Sequence, residues 1–196
     1  MRIMSDIGLI IRLWHDDRIV QEQRLKHFNE ICLPSFKVQT HRDFDICVLS
    51  PPKDHDRLKA MDDRIKPFTL NEPYDYSKHS NFTRAQTVGL KHYPIQVRMD
   101  SDDFVARDFM ELIVKTPTYY VTFQPELYLM NEKRFKPMSH RYREDKPSTF
   151  LAVKNYDECI YHKVFLRFND RPCTIYPEGH AWVCIHDHNF RTNKDS

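Results

Sequence analysis

The chain has 196 residues, 40% hydrophobic and 13% aromatic, a composition that can bury a core and excludes a disordered chain. Its 30 Lys and Arg nearly cancel its 28 Asp and Glu, leaving +2, and no dense basic run marks a nucleic-acid binder. No segment reaches the roughly 18 consecutive apolar residues of a membrane span. Residues 7–13, the longest apolar stretch near the N-terminus, are interrupted by Gly8 and Arg12 and too short for a signal peptide. The five cysteines are odd in number, scattered and without a C-x-x-C pair, which implies free thiols and a cytoplasmic, reducing setting.

Residues 7–13 read as a first strand, buried on both faces. A helix follows from about residue 18, where Leu25, Phe28, Cys32 and Phe36 recur at helical spacing. Pro34 kinks that helix or opens its last turns, because proline lacks an N–H and clashes with the preceding turn. Residues 44–49 make a second strand, ended by Pro51-Pro52; a short helix over 54–63 and a third strand over 65–70 follow. Residues 71–79 are polar loop, and Ser80 is placed to cap a helix running to about residue 92. Ile95, Val97 and Met99 then alternate with Gln96 and Arg98, giving a strand aimed at Asp100.

Past that point residues 105–115 read as helix, 119–123 and 127–130 as strands suited to a hairpin, and 131–148 as a basic, proline-containing loop. A strand over 150–153, a helix over 159–168 and strands over 174–176 and 181–185 complete the chain. This order implies one α/β domain over residues 1–196, with a mostly parallel central sheet flanked by helices. Ligands in such sheets bind beyond the carboxyl ends of the strands.

Glycine narrows the chemistry. There are only three, Gly8, Gly89 and Gly179. A dinucleotide fingerprint needs three within six positions, and a P-loop needs two with Lys-Ser/Thr, so neither exists here. Phosphates must be held in another way, and Asp100-Ser101-Asp102-Asp103 offers one. Crowded carboxylates repel unless a cation or proton intervenes. Their hard oxygens suit Mg²⁺ or Mn²⁺, which bridges phosphates and neutralises a departing nucleoside diphosphate. The same acids also suit a solvated turn that caps the next helix, and spacing alone does not separate the two readings.

The segment with Arg84, Gly89 and then a strand ending in Asp100-Ser101-Asp102-Asp103 resembles the core of GT-A glycosyltransferases. Leu33-Pro34-Ser35-Phe36, Gln39-Thr40 and residues 44–49 are similar to their first helix and second strand. More narrowly, Leu33-Pro34-Ser35 with Gln39-Thr40, Val97-Arg98-Met99 leading into the acids, and a late strand ending in His186 with Asn189 after it resemble a family named for rhamnosyl transfer. The resemblance spans about residues 7–190 and is firmest over 28–50 and 95–110. It departs after the second strand, where Ser50-Pro51-Pro52-Lys53-Asp54 replaces the acidic pair that contacts base and ribose in many such enzymes.

The resemblance implies a GT-A-like (Rossmann-like) domain with a nucleotide-sugar half over about 1–103 and an acceptor half over about 104–196. It implies transfer of a hexosyl unit, rhamnose included, from a UDP-, dTDP- or GDP-linked donor to a glycan or glycoconjugate, with inversion. Asp102 is then the principal Mn²⁺ or Mg²⁺ ligand, Asp100 shares the metal or contacts the ribose, Asp103 supports either, and His186 completes the metal shell. Arg84 holds a phosphate or the base edge, and the general base falls at Asp157 or Glu158, with Glu178 in reserve. Arg12, a charge following an apolar run, needs a partner, either the nucleotide or a structural carboxylate. Trp14, Tyr74, Tyr76, Tyr119 and Tyr120 suit stacking on a base or sugar as well as plain packing, and none is assigned. Two other readings share the carboxylates: a metal-dependent nucleotidyl- or phosphoryltransferase, and a degenerate GT-A fold that only binds a glycan or protein. A zinc site from His180, His186 and His188 lacks a standard ligand spacing.

Overall fold

The computed structural model describes residues 5–15, 17–70, 89–90, 92–130, 133–136, 150–154 and 172–185. In chain order the first elements are β1 (Ile7–Arg12), α1 (Arg18–His27), a π-helical turn (Phe28–Cys32), α2 (Leu33–Lys37) and β2 (Asp45–Leu49). A 3₁₀ turn (Pro52–Asp54), α3 (His55–Met61), β3 (Ile65–Phe68) and β4 (Ile95–Arg98) follow. After the acidic segment come β5 (Phe104–Val105), α4 (Phe109–Lys115), β6 (Tyr120–Phe123), β7 (Glu126–Leu129), β8 (Arg134–Lys136), β9 (Leu151–Lys154), β10 (Cys173–Tyr176) and β11 (Ala181–Ile185).

Seven strands form the main sheet in the order β10-β6-β9-β4-β1-β2-β3. The block β4-β1-β2-β3 is parallel, as is the β10–β6 pair, and β9 runs antiparallel between β4 and β6. Four strands form a second, smaller sheet in the order β5-β11-β7-β8. The fold is therefore α/β with a mostly parallel central sheet.

The near-continuous apolar run of β1 reflects its inner place, because both faces of a parallel strand are covered. On one face Leu9, Ile11, Ile46, Val48, Val97 and Met99 meet Leu25, Phe28, Leu33 and Phe36 from α1 to α2, Leu58 of α3, and Phe109 and Ile113 of α4. Each such side chain contributes about 1.5–3 kcal/mol by leaving water. On the other face Ile10 and Cys47 pack with Leu90, Tyr93 and Phe68. Gly8 belongs to this face. A Cβ there would lie 2.5 Å from Tyr93 Cδ2 and 2.8 Å from Leu90 Cδ2, so the aromatic ring crosses the strand where it has no side chain. The Tyr93 hydroxyl donates to Asp45 Oδ2 on β2 at 3.1 Å.

Asp17 caps α1 by accepting from the N–H groups of Ile19 and Val20. The break expected at Pro34 is real and takes the form of the wide π turn, in which the Leu33 N–H bonds five residues back to Phe28. Between α3 and β3, Arg64 grips Asp62 through Nε and Nη2 at 2.9 and 2.8 Å, with both side chains buried. Its guanidinium also donates to the Phe36 carbonyl and lies 4.7 Å above the Phe44 ring.

Three expectations change. The helix assigned to 105–115 starts at Phe109, because Phe104 and Val105 are drawn into a strand opposite Trp182 and Ala181. The strands over 119–123 and 127–130 are not a hairpin, since β6 joins the main sheet and β7 the small one. The loop assigned to 131–148 contributes β8, which pairs with β7. Among the described residues no helix is long and apolar enough to cross a membrane, and Cys32, Cys47, Cys173 and Cys184 form no disulfide.

Candidate functional site

The chain leaves β1 to form β2 on one side and returns to form β4 on the other, so the winding reverses between β1 and β4, and in open α/β sheets ligands bind outside the carboxyl ends at such a point. The last registered pair there is Ile10 with Arg98. Two residues beyond it on each strand stand Arg12 and Asp100, and both are half-buried. Strand alternation puts Arg12 with Gly8 and Ile10, on the Tyr93 side of the sheet.

The acidic segment turns here and divides its carboxylates. Asp100 and Asp102 remain half-exposed, whereas Ser101 and Asp103 are buried. Asp103 is 2% exposed, and its Oδ1 accepts the backbone N–H of Cys184 on β11 at 3.1 Å. Burial, reinforced by the charges of Asp102 and Asp100, pushes its carboxyl well above the usual carboxylate range, against the pull of the Cys184 N–H. The acids do not cap the next helix, whose N-cap position is Asp108.

Below the turn, the buried Cys32 thiol lies 3.8 Å from the Asp100 carbonyl oxygen. Burial and the three aspartates raise this thiol, and burial with Asp103 and Asp102 raises Cys184 to about 12. Both sulfurs therefore stay protonated and are not nucleophiles.

Gln39 and Thr40 have a physical task. Gln39 Nε2 donates to the carbonyls of Ser35 and Ala106 at 2.8 and 2.7 Å, while its Oε1 accepts the Met110 N–H at 3.0 Å. Thr40 donates its N–H to the Arg107 carbonyl at 2.8 Å and its hydroxyl to Glu111 Oε2 at 2.6 Å, with the same hydroxyl 3.2 Å from the Arg107 carbonyl. Together they clamp the end of α2 to the segment that leaves the acidic turn. A buried glutamine directly after a helix is the signal that marks such a clamp.

Asp54, the first carboxylate after β2, is buried and accepts Gln21 Nε2 at 2.9 Å, while Gln21 Oε1 accepts the His15 N–H. Gln21 thus ties α1 to the segments that follow β1 and β2. Trp14 packs against Leu49, Leu70 and Phe68. His180 lies 3.4 Å from Asp108 Oδ1 and packs edge-on to Tyr176. Glu178 is exposed in the turn before β11. Arg84, Asp157, Glu158, His186 and His188 lie outside the described residues, as do Tyr74 and Tyr76. Among the described residues no three His, Cys, Asp or Glu side chains converge as a metal set. Two half-exposed carboxylates at a strand end nevertheless fit Mg²⁺ or Mn²⁺, which such sites hold through one or two carboxylates plus water and phosphate oxygens.

The architecture is that of the GT-A glycosyltransferases. Staphylococcus aureus TarS 1-349 in complex with UDP-GlcNAc matches at a TM-score of 0.61 and 10% identity, over 92% of this chain and 59% of that one. The mannosyltransferase PcManGT from Pyrobaculum calidifontis, in complex with GDP-Man and Mn²⁺, matches at 0.59 and 12%, over 97% and 60%. GalNAc-T7 with UDP, GalNAc and Mn²⁺ matches at 0.57 and 10%, over 93% and 44%. The chain thus spans about three fifths of the TarS 1-349 and PcManGT chains. No curated protein matches it. A family model described as "Putative rhamnosyl transferase" covers residues 10–194, and the chain belongs to that family.

Proposed function

We propose that the protein transfers a sugar from a nucleoside-diphosphate sugar to a glycan acceptor, with a divalent cation at Asp102 and Asp100. The observation that carries this reading is the division of the acidic turn. Asp103 is withdrawn into the protein, and Asp100 and Asp102 stay half-exposed just past the carboxyl end of β4, beside that of β1. Carboxylates that served only the fold would not need to stay there with like charges adjacent. Membership in the family supports the reaction class and names rhamnose as the sugar to try first. The GT-A neighbours in complex with UDP-GlcNAc and with GDP-Man and Mn²⁺ support the donor class and the metal.

In this reading Asp102 is the main metal ligand and Asp100 shares the metal or binds the ribose. Asp103 fixes the turn through Cys184. A bound cation supplies neutralisation of the charge that builds on the departing diphosphate. Arg12, at the level of Asp100 on the neighbouring strand, and Arg84 hold phosphate oxygens by charge-assisted hydrogen bonds. The acceptor hydroxyl oxygen attacks the anomeric carbon as the bond from that carbon to the diphosphate oxygen breaks. Asp157 or Glu158 takes the hydroxyl proton, and a single displacement of this kind inverts the anomeric centre. By the resemblance, His186 completes the metal shell.

The test is thermal shift with UDP-, GDP- and dTDP-sugars, with and without Mn²⁺, on wild type and Asp102→Ala. A ligand at a hundredfold excess over its Kd stabilises the native state by about 2.7 kcal/mol. A Mn²⁺-dependent shift with one donor, absent in Asp102→Ala, is the expected outcome. No shift with any donor refutes the reading in favour of a binding module. Release of pyrophosphate or a monophosphate in place of a nucleoside diphosphate identifies a nucleotidyltransferase instead.

A further inference from the structure

The donor site leaves one group of aromatic side chains unused, on the small sheet. Trp182 of β11 is registered opposite Phe104 of β5 and Glu126 of β7, and Cys184 opposite Tyr128. Alternation puts these residues on one face, while Val105, Ala181 and Val183 turn to the core. The Phe104 ring stacks on Trp182 with centroids 5.1 Å apart and planes 16° apart. It stands edge-on to Tyr128 at 5.5 Å and 87°. Trp182 Nε1–H donates to Glu126 Oε2 at 2.8 Å. Phe104, Glu126, Tyr128 and Trp182 are all half-buried, so each keeps solvent-facing surface, and Cys184 is covered beneath them.

We infer that this face is the acceptor subsite, where a pyranose ring packs on Phe104, Tyr128 and Trp182 and gives a hydroxyl hydrogen bond to Glu126. The inference rests on the glycosyltransfer reading above and names the surface that takes its second substrate. A pyranose offers an apolar C–H face bordered by hydroxyls. Its complement is a rigid aromatic surface with a fixed polar acceptor beside it. Here the acceptor is a carboxylate, which takes hydroxyl donors at either oxygen, and the indole N–H already holds it in position. Aromatic side chains give this contact area at low conformational cost.

The place of the face in the chain argues for the acceptor rather than for an unrelated partner. Phe104 directly follows Asp103, and the bond from Cys184 N–H to Asp103 fastens β11 to the acidic turn. The aromatic face and the acids that face the donor are thus built on one short length of chain. A sugar resting there lies beside the place where the donor is held.

The experiment uses Trp14→Phe as background, which leaves Trp182 as the sole tryptophan of the two in the chain. Its fluorescence is titrated with methyl rhamnoside, methyl galactoside and chitobiose, and the same protein is applied to a glycan array. The expected result is a saturable change in Trp182 emission with at least one glycan class. Glu126→Gln, an isosteric change, is expected to weaken that binding about tenfold, and Trp182→Ala to abolish array binding. Both variants keep the Mn²⁺-dependent shift with the nucleotide-sugar, which also shows that they are folded. Glycan binding that is equal in wild type and Glu126→Gln, or donor binding with no glycan reaching Trp182, overturns the acceptor site and leaves the donor reading intact. Absence of the donor shift in the wild type is instead a failure of the proposed function. Retention of a protein partner by this face in place of glycans likewise refutes the inference.

Discussion

Replacing Asp103 separates its role from that of its neighbours. Its carboxyl is 2% exposed and receives the Cys184 N–H at 3.1 Å. Asp103→Ala orphans that buried N–H, a loss of about 1–3 kcal/mol, and empties the space of the carboxyl. We expect a loss of roughly 2 kcal/mol, which for a chain of this length lowers Tm by about 4–8 °C. Asp103→Asn keeps an acceptor oxygen of the same shape and gives up only a charge that burial disfavours. It is therefore expected to stay within about 1 kcal/mol of wild type and to keep its donor-dependent thermal shift. The assay is thermal and urea denaturation of the three proteins in EDTA, repeated with Mn²⁺ and the donor. If the Asn variant loses as much stability as the Ala variant, Asp103 acts through its charge and its assignment as an internal anchor is wrong.

Gly8→Ala forces a Cβ to within 2.5 Å of Tyr93, and it should cost about 1–3 kcal/mol by urea denaturation; an unchanged midpoint would show that Tyr93 does not lie across β1. Asp62→Ala strands the buried Arg64 guanidinium and is expected to cost about 3–5 kcal/mol near neutral pH. Burial alone would raise the Asp62 carboxyl, but the hydrogen bonds and charge of Arg64 outweigh it and hold it below the usual range. A lowered folded-state pKa stabilises above the unfolded value of about 3.9, and that contribution is lost as pH falls through the folded value. The gap between wild type and Asp62→Ala should therefore narrow on acidification below about pH 4, and a gap constant from pH 7 to pH 3 would refute the ion pair. Gln39→Ala removes three hydrogen bonds, two of which hold the segment after the acids, so it should weaken donor affinity as well as stability, whereas loss of stability alone would limit the clamp to the fold.

The strands of the parallel block were legible because each carries its own signal. The runs at 7–13 and 44–49 are apolar on both faces, and the alternation at 95–99 leads straight to Asp100. The small sheet was not legible. Phe104 and Val105 form a two-residue strand, and nothing local distinguishes them from the first turn of the helix that begins at Phe109. Their partners Ala181 and Trp182 are more than seventy positions away along the chain. Residues 127–130 looked like the return strand of a hairpin because sequence shows where strands fall and not which sheet each one joins. β7 instead pairs in parallel with β11, a contact across more than fifty residues.

The site shows the same division between what is local and what is not. Spacing exposed the acids but could not weigh three equal carboxylates against one another, since the difference comes from β11. Only when Cys184 arrives with its N–H does Asp103 become an internal group, and Asp100 and Asp102 are left half-exposed. Gln39 and Cys32 fix the same turn from the opposite side, through Ala106, Met110 and the Asp100 carbonyl. The turn is thus held by one element from early in the chain and one from its end. A chain with three glycines, and hence without a glycine-rich cradle, has need of this. Where backbone amides cannot wrap the phosphates, the carboxylates that bind them through a cation must be held still by packing around the turn.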